Sequence, residues 1–198
     1  MQQQVYFLPA LTFAVVMLCW FAFAAVFILR KKPPITPDQK RERGSLFGVL
    51  LQGIAYGVVW SQLHRRGFTP FVANETVALA ASVIAMVAAI GSVWLIMGAV
   101  RTLGKEWSLT ARVVEGHKLA TTGPYAYVRH PIYTGMLGML IATGLAVSHW
   151  VGLLVALILF FIGTVIRIRS EEKLLRAAFG EQFEVYSRRV SAILPGVY

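Results

Sequence analysis

Five apolar runs divide this chain, at residues 5–29, 46–63, 76–100, 132–147 and 150–166. Crossing ~30 Å of hydrocarbon takes roughly 20 helical residues. None of the runs alternates apolar and polar positions as the strands of a spanning barrel would. The pattern predicts an all-α polytopic membrane bundle of five transmembrane helices. Pro33 and Pro34 stop the first run, because proline cannot continue a helix. Gly48, Gly53 and Gly57 predict close helix approach on one side of the second. Only Ser148 and His149 separate the last two runs, which predicts a tight, short hairpin packed inside the bundle. Beyond residue 166 the pattern turns polar. The tail, 167–198, is expected to be charged and helical, with Leu175, Phe179, Phe183 and Tyr186 on one apolar face and Gly180 as a candidate break.

Composition narrows the class. The chain has 198 residues, of which 57% are hydrophobic and only 14% charged, against about a quarter charged in soluble domains. The first run is longer than a signal-peptide core and no small-residue cleavage pattern follows it, so it is expected to be a retained span. Cys19 alone allows no internal disulfide. His117 and His149 are not accompanied by cysteines or a carboxylate cluster, and no metal site is expected.

Charge sets the expected orientation. All of the 19 lysines and arginines except Arg65 and Arg66 fall in the first loop, the third loop or the tail. Five crossings put those three segments on one side, which the positive-inside rule makes cytoplasmic. The N-terminus is then expected outside. Topology accounts for the net charge of +10, so no nucleic-acid partner is expected. The interiors of the five runs lack Asp, Glu, Lys and Arg, which argues against the alternative of a non-enzymatic membrane scaffold or small transporter. Oligomeric state is not encoded in any of these patterns.

The polar segments carry the candidate chemistry. Between the third and fourth runs lie His117, Lys118 and Leu119, then Gly123-Pro124-Tyr125, then Arg129-His130-Pro131 and Tyr133. Pro131 biases His130 away from helical geometry and is itself favoured at the first helical position. His130 is therefore expected at the mouth of the fourth helix, where unpaired N–H groups suit an anion. Tyr125, Tyr127 and Tyr133 offer rings that can stack on a base or attract a cation. After the fifth run, Arg167 and Glu171 are four apart and share a helical face. An arginine fork there can hold a carboxylate at two points. Glu171 can hold ribose hydroxyls or balance a cationic cofactor. The sequence has neither a dinucleotide glycine fingerprint nor a Walker loop, so any nucleotide-like cofactor must be held by helices and loops.

Taken together, these residues resemble the isoprenylcysteine carboxyl methyltransferase family of membrane enzymes. The match runs through His117-Lys118-Leu119, Gly123-Pro124-Tyr125, Arg129-His130-Pro131-Ile132-Tyr133, Arg167, Glu171-Glu172, Phe179-Gly180 and Tyr186 to Leu194-Pro195. It covers residues 100–198 closely and divides the chain into a three-span region, 1–100, and a methyltransferase core, 101–198. The resemblance implies transfer of a methyl group from S-adenosyl-L-methionine. It places the cofactor against His117, Lys118, Leu119, Ala120, Tyr125, His130, Pro131, Ile132, Tyr133 and Glu171. It makes Arg167 the catalytic, substrate-holding residue. The implied substrate is lipophilic, an isoprenylcysteine-like acid, met among membrane lipids. The compact N-terminal half reads as prokaryotic, which implies the inner membrane. The same superfamily pattern is shared by phospholipid N-methyltransferases, whose amine substrate would favour Glu172 as partner, and resembles part of the NADPH-dependent sterol reductases.

Overall fold

The computed structural model describes residues 2–29, 44–62, 74–104 and 119–196. Each of the five apolar runs carries a helix among the described residues, which contain no strand longer than an isolated bridge. Helix α1 covers Gln2–Ile28, α2 Gly44–Ser61, α3 Glu75–Leu103, α4 Pro131–Val147, α5 Trp150–Phe179 and α6 Glu181–Arg189. A short 3-10 turn, Gly123–Ala126, precedes α4. Three of the helices are long and apolar enough to cross a membrane: Phe7–Ile28, Glu75–Leu103 and Trp150–Phe179. The other two apolar helices, Ser45–Ser61 and Pro131–Val147, are shorter.

Caps set two of the boundaries. Asn74 accepts hydrogen bonds from the Thr76 and Val77 amides and starts α3, as a short polar side chain does at an N-cap. His149 accepts from the Val151 amide and starts α5, which gives it a structural role.

The bundle is arranged around α4. Helix α2 lies along α5, α3 lies along α4, and α1 rests mainly on α3. No residue of α4 is exposed, whereas α1, α2, α3 and α5 each carry an exposed apolar stripe, including Phe21, Leu50, Val87 and Phe161. Lipid tails are the natural solvent for such stripes. The expected hairpin packed inside the bundle therefore holds for α4 only. Helix α5 is peripheral, and each of the two packs more broadly on another helix than on its hairpin partner.

The expected boundary at residue 166 is absent. Helix α5 continues to Phe179, a length of 30 residues or about 45 Å. Its polar extension is built of Arg, Ser, Glu, Lys, Leu and Ala, and neither glycine nor proline interrupts it between Thr164 and Phe179. The helix outruns the hydrocarbon and carries Arg167, Glu171 and Glu172 beyond the apolar run. It ends at Gly180, whose φ of 50° lies where a side chain is disfavoured. The chain then turns into α6. Phe183 is buried, but Leu175 and Phe179 belong to the other helix, so the four residues do not form one continuous face.

Of Gly48, Gly53 and Gly57, only Gly48 serves close approach. A Cβ there would come within 2.6 Å of the Gly163 carbonyl oxygen on α5, and one at Gly163 within 2.7 Å of the Gly48 oxygen. Gly53 and Gly57 are exposed and have no heavy atom in reach among the described residues.

Candidate functional site

The site forms where the mouth of α4 meets the polar extension of α5. Pro131 occupies the first position of α4 and His130 its N-cap, with extended φ of −125°, as the proline predicts. His130 is buried between two successive carboxylates of α5. Its Nδ1 lies 3.4 Å from a Glu171 oxygen and its Nε2 3.2 Å from a Glu172 oxygen. Only the doubly protonated imidazolium donates from both nitrogens. Burial opposes that charge, but hydrogen bonds and charges from Glu171 and Glu172 outweigh it and raise the His130 pKa.

Tyr133 follows one turn into α4. Its ring stacks on His130 at 5.7 Å and 20°, and its hydroxyl donates to Glu171. The Arg167 guanidinium lies over the other part of this assembly, with its carbon 5.0 Å from the Tyr133 ring centre. One Arg167 nitrogen is 3.8 Å from Glu171, so the i, i+4 relation of the sequence becomes an ion pair. Arg167 is buried, while the Glu171 side chain keeps 24% of its surface exposed.

Glu172 faces a different set of partners. Arg129 donates to one of its oxygens from Nε at 2.9 Å and from Nη2 at 2.8 Å. Arg176 donates to the other at 3.1 Å and also pairs with Glu184. Arg176 is half-exposed, yet it ties α5 to α6. Glu172 itself is buried. With two cations and His130 around it, Glu172 acts as the counter-ion that holds the α4 mouth against α5 and α6.

The chain beyond α6 closes the site from behind. Val128 and Ser191 form a parallel bridge. The amides of Arg129 and His130 donate to the carbonyls of Ser191 and Ala192 at 2.8 and 2.9 Å, and the Thr134 hydroxyl donates to the Ile193 carbonyl. Arg129 Nη1 also donates to the carbonyls of Ser187 and Val190. Tyr186 donates to the Tyr125 carbonyl at 2.7 Å; burial pushes its phenol up to about 12, against the pull of the Arg129 charge. Tyr125 is buried in that contact, whereas Tyr127 is exposed.

The structure thus brings together His130, Pro131, Ile132, Tyr133, Arg167, Glu171 and Glu172. Leu119 and Ala120 are half-buried at the start of the segment leading to the 3-10 turn. His117 and Lys118 lie outside the described residues. Two residues at the site have no forerunner in the sequence reading. Gln52 on α2 accepts from Arg167 Nη1 at 3.2 Å, and its amide nitrogen donates to Thr164 at 2.8 Å. A lone amide inside an apolar run was the available signal.

Comparison with known proteins covers the same part of the chain. The family model for phospholipid methyltransferase matches residues 80–182, which takes in Arg129, His130, Arg167, Glu171 and Glu172. The chain is 34% identical over 79 residues to protein-S-isoprenylcysteine O-methyltransferase of Schizosaccharomyces pombe, covering 40% of this chain and 34% of that protein. It is 31% identical over 101 residues to protein-S-isoprenylcysteine O-methyltransferase B of Arabidopsis thaliana, covering 50% and 51%. It is also 37% identical over 102 residues to cobalt-zinc-cadmium resistance protein CzcN of Cupriavidus metallidurans, covering 48% and 44%. The chain spans a third to a half of the length of these relatives. With its α3 to α5 core matched over more than half of its own length, the chain belongs to the phospholipid methyltransferase family.

Proposed function

We propose that this integral membrane protein transfers a methyl group from S-adenosyl-L-methionine to the carboxylate of a lipophilic, isoprenylcysteine-like acid. The observation that carries this reading is the buried Arg167 set between Tyr133 and the partly exposed Glu171, beside His130 at the mouth of α4. The donor set suits a ligand with both signs of charge. Glu171 can face an ammonium or sulfonium, and the first turn of α4 can face a carboxylate. We assign His130, Pro131, Ile132, Tyr133 and Glu171, with Leu119, Ala120, Tyr125 and the preceding His117 and Lys118, to holding the cofactor. When bound, S-adenosyl-L-methionine supplies an electrophilic sulfonium methyl.

Arg167 supplies the other half of the chemistry. A carboxylic acid with a pKa near 4 is ionised at pH 7 and needs no general base to attack that methyl. The guanidinium would hold and orient the acceptor carboxylate, leaving an oxygen free to face the methyl group the cofactor would supply. Orientation of this kind is a recognised source of rate. An amine acceptor would need a base, and Glu172, the residue suited to it, is committed to Arg129, His130 and Arg176. The isoprenylcysteine O-methyltransferase names of the relatives support the acid. The lipophilic part of the acceptor would lie along the exposed apolar stripes. Five crossings, with the ionic cluster cytoplasmic and the N-terminus outside, agree with the charge distribution.

Arg167→Ala tests the reading. Methyl transfer to a prenylcysteine acid should fall by about two orders of magnitude, the loss of roughly 3 kcal/mol of charge-assisted contact. Affinity for S-adenosylhomocysteine should stay within a few-fold. Equal loss of both would remove Arg167 from the acceptor side.

A further inference from the structure

We propose that Gln52 is a positioning residue for Arg167, supplied by a helix outside the family-matched segment, and that it sets how the acceptor carboxylate is gripped. The proposal rests on the reading of Arg167 as the acceptor residue. Gln52 is buried in an otherwise apolar helix, a placement that is unfavourable for an amide unless both of its ends are bonded. Both are: the oxygen accepts from Arg167 Nη1 and the nitrogen donates to the buried Thr164 hydroxyl. A guanidinium only donates, so the amide can face it by its oxygen alone. Thr164 takes the nitrogen, and the amide has one orientation.

The two helices are shaped to allow this contact. A Cβ on Gly48 would strike Arg167 Cγ at 2.5 Å, and a Cβ on Gly163 would press on Gln52 Cγ at 3.3 Å. Two absent side chains therefore let the Arg167 stem run across α2 while Gln52, one turn further along, meets its end. The guanidinium is then held by Gln52, by Glu171 and by the Tyr133 ring. Of these three, Gln52 is the neutral hydrogen-bond acceptor and the one assigned no part in holding the cofactor. An amide fixes the guanidinium without cancelling its charge, which an anionic acceptor needs. A carboxylate at position 52 would compete with the acceptor for the same cation.

The plain alternative is that Gln52 and Thr164 merely join α2 to α5. Steady-state kinetics of the full-length protein in lipid nanodiscs, with a prenylcysteine acid as acceptor, separates the two. Gln52→Leu should raise the acceptor KM about tenfold while S-adenosylhomocysteine affinity stays within twofold. Gln52→Glu should raise KM further. Thr164→Val, which keeps side-chain shape and loses the amide's second anchor, should give a smaller rise of the same sign. In an Arg167→Lys background, Gln52→Leu should add less than twofold. An unchanged KM in Gln52→Leu and Thr164→Val, or an equal effect in the Arg167→Lys background, would overturn the proposal and leave Arg167's role standing. Wild-type kinetics in Arg167→Ala would instead remove the reading beneath it.

Discussion

Two buried polar clusters hold α4, and they do so by opposite means. Along its length, Tyr56 of α2 donates to the Met136 carbonyl at 2.7 Å and, further on, Trp20 of α1 donates to Thr143 at 3.0 Å. Trp20, Phe23, Tyr56 and Trp60 meet edge-on or tilted around these bonds. Every polar group there has a neutral partner, and no charge is involved. At the mouth of α4, Arg129, His130, Arg167, Glu171 and Glu172 form a charged assembly in nearly the same degree of burial. Burying charges is expensive even when they are paired. The bundle can be closed with neutral aromatic contacts, so joining helices does not by itself require the charges at the other end.

Within the ionic cluster the adjacent glutamates repeat the contrast. Glu172 has three donors and little exposure, while Glu171 keeps an open side. Removing Glu172 should have the largest effect on the fold. Glu172→Ala removes the carboxylate facing Arg129 and leaves His130 with Glu171 alone. A loss of about 3–5 kcal/mol is expected, read as a lower denaturation midpoint in detergent.

The next effect is one of pH. The folded His130 pKa lies above its unfolded value near 6.5. Its contribution to stability is therefore full below 6.5 and is lost as pH rises through the higher folded value. His130→Asn should flatten that part of the stability profile, whereas the aromatic cluster should show no pH dependence over the same range. A wild-type profile that rises with pH there would contradict the imidazolium assignment.

The smallest effect belongs to the neutral cluster. Tyr56→Phe removes one hydrogen bond and should cost about 1 kcal/mol, with methyl transfer unchanged. A large loss of activity in that variant would mean that the two clusters are coupled through α4.

Much of this contrast was legible in the sequence, but unevenly. The five apolar runs announced the helices, Pro131 announced the position of His130, and four-residue spacing announced the Arg167–Glu171 pair. These are local signals. The course of α5 past residue 166 was missed because a drop in hydropathy marks the end of a membrane run, not of a helix; the helix stops only at Gly180. Gln52 is separated from Thr164 and Arg167 by more than a hundred residues, and its partners depend on how α2 and α5 cross. The pairing of Ser191 and Ala192 with Arg129 and His130 is made by backbone groups, which carry no residue-type signature. Gly53 and Gly57 lie in the same apolar run as Gly48, but only Gly48 faces α5 closely.

The most direct test of the central claim is thermal unfolding of the purified protein with S-adenosylhomocysteine, with NADPH, and with neither. A ligand at about 100 times its Kd stabilises by roughly 2.7 kcal/mol, which for a chain of this size is a rise of about 5–10 °C. That rise is expected with S-adenosylhomocysteine, with its loss in Glu171→Gln and no response to NADPH. Stabilisation by NADPH with S-adenosylhomocysteine inert would contradict it.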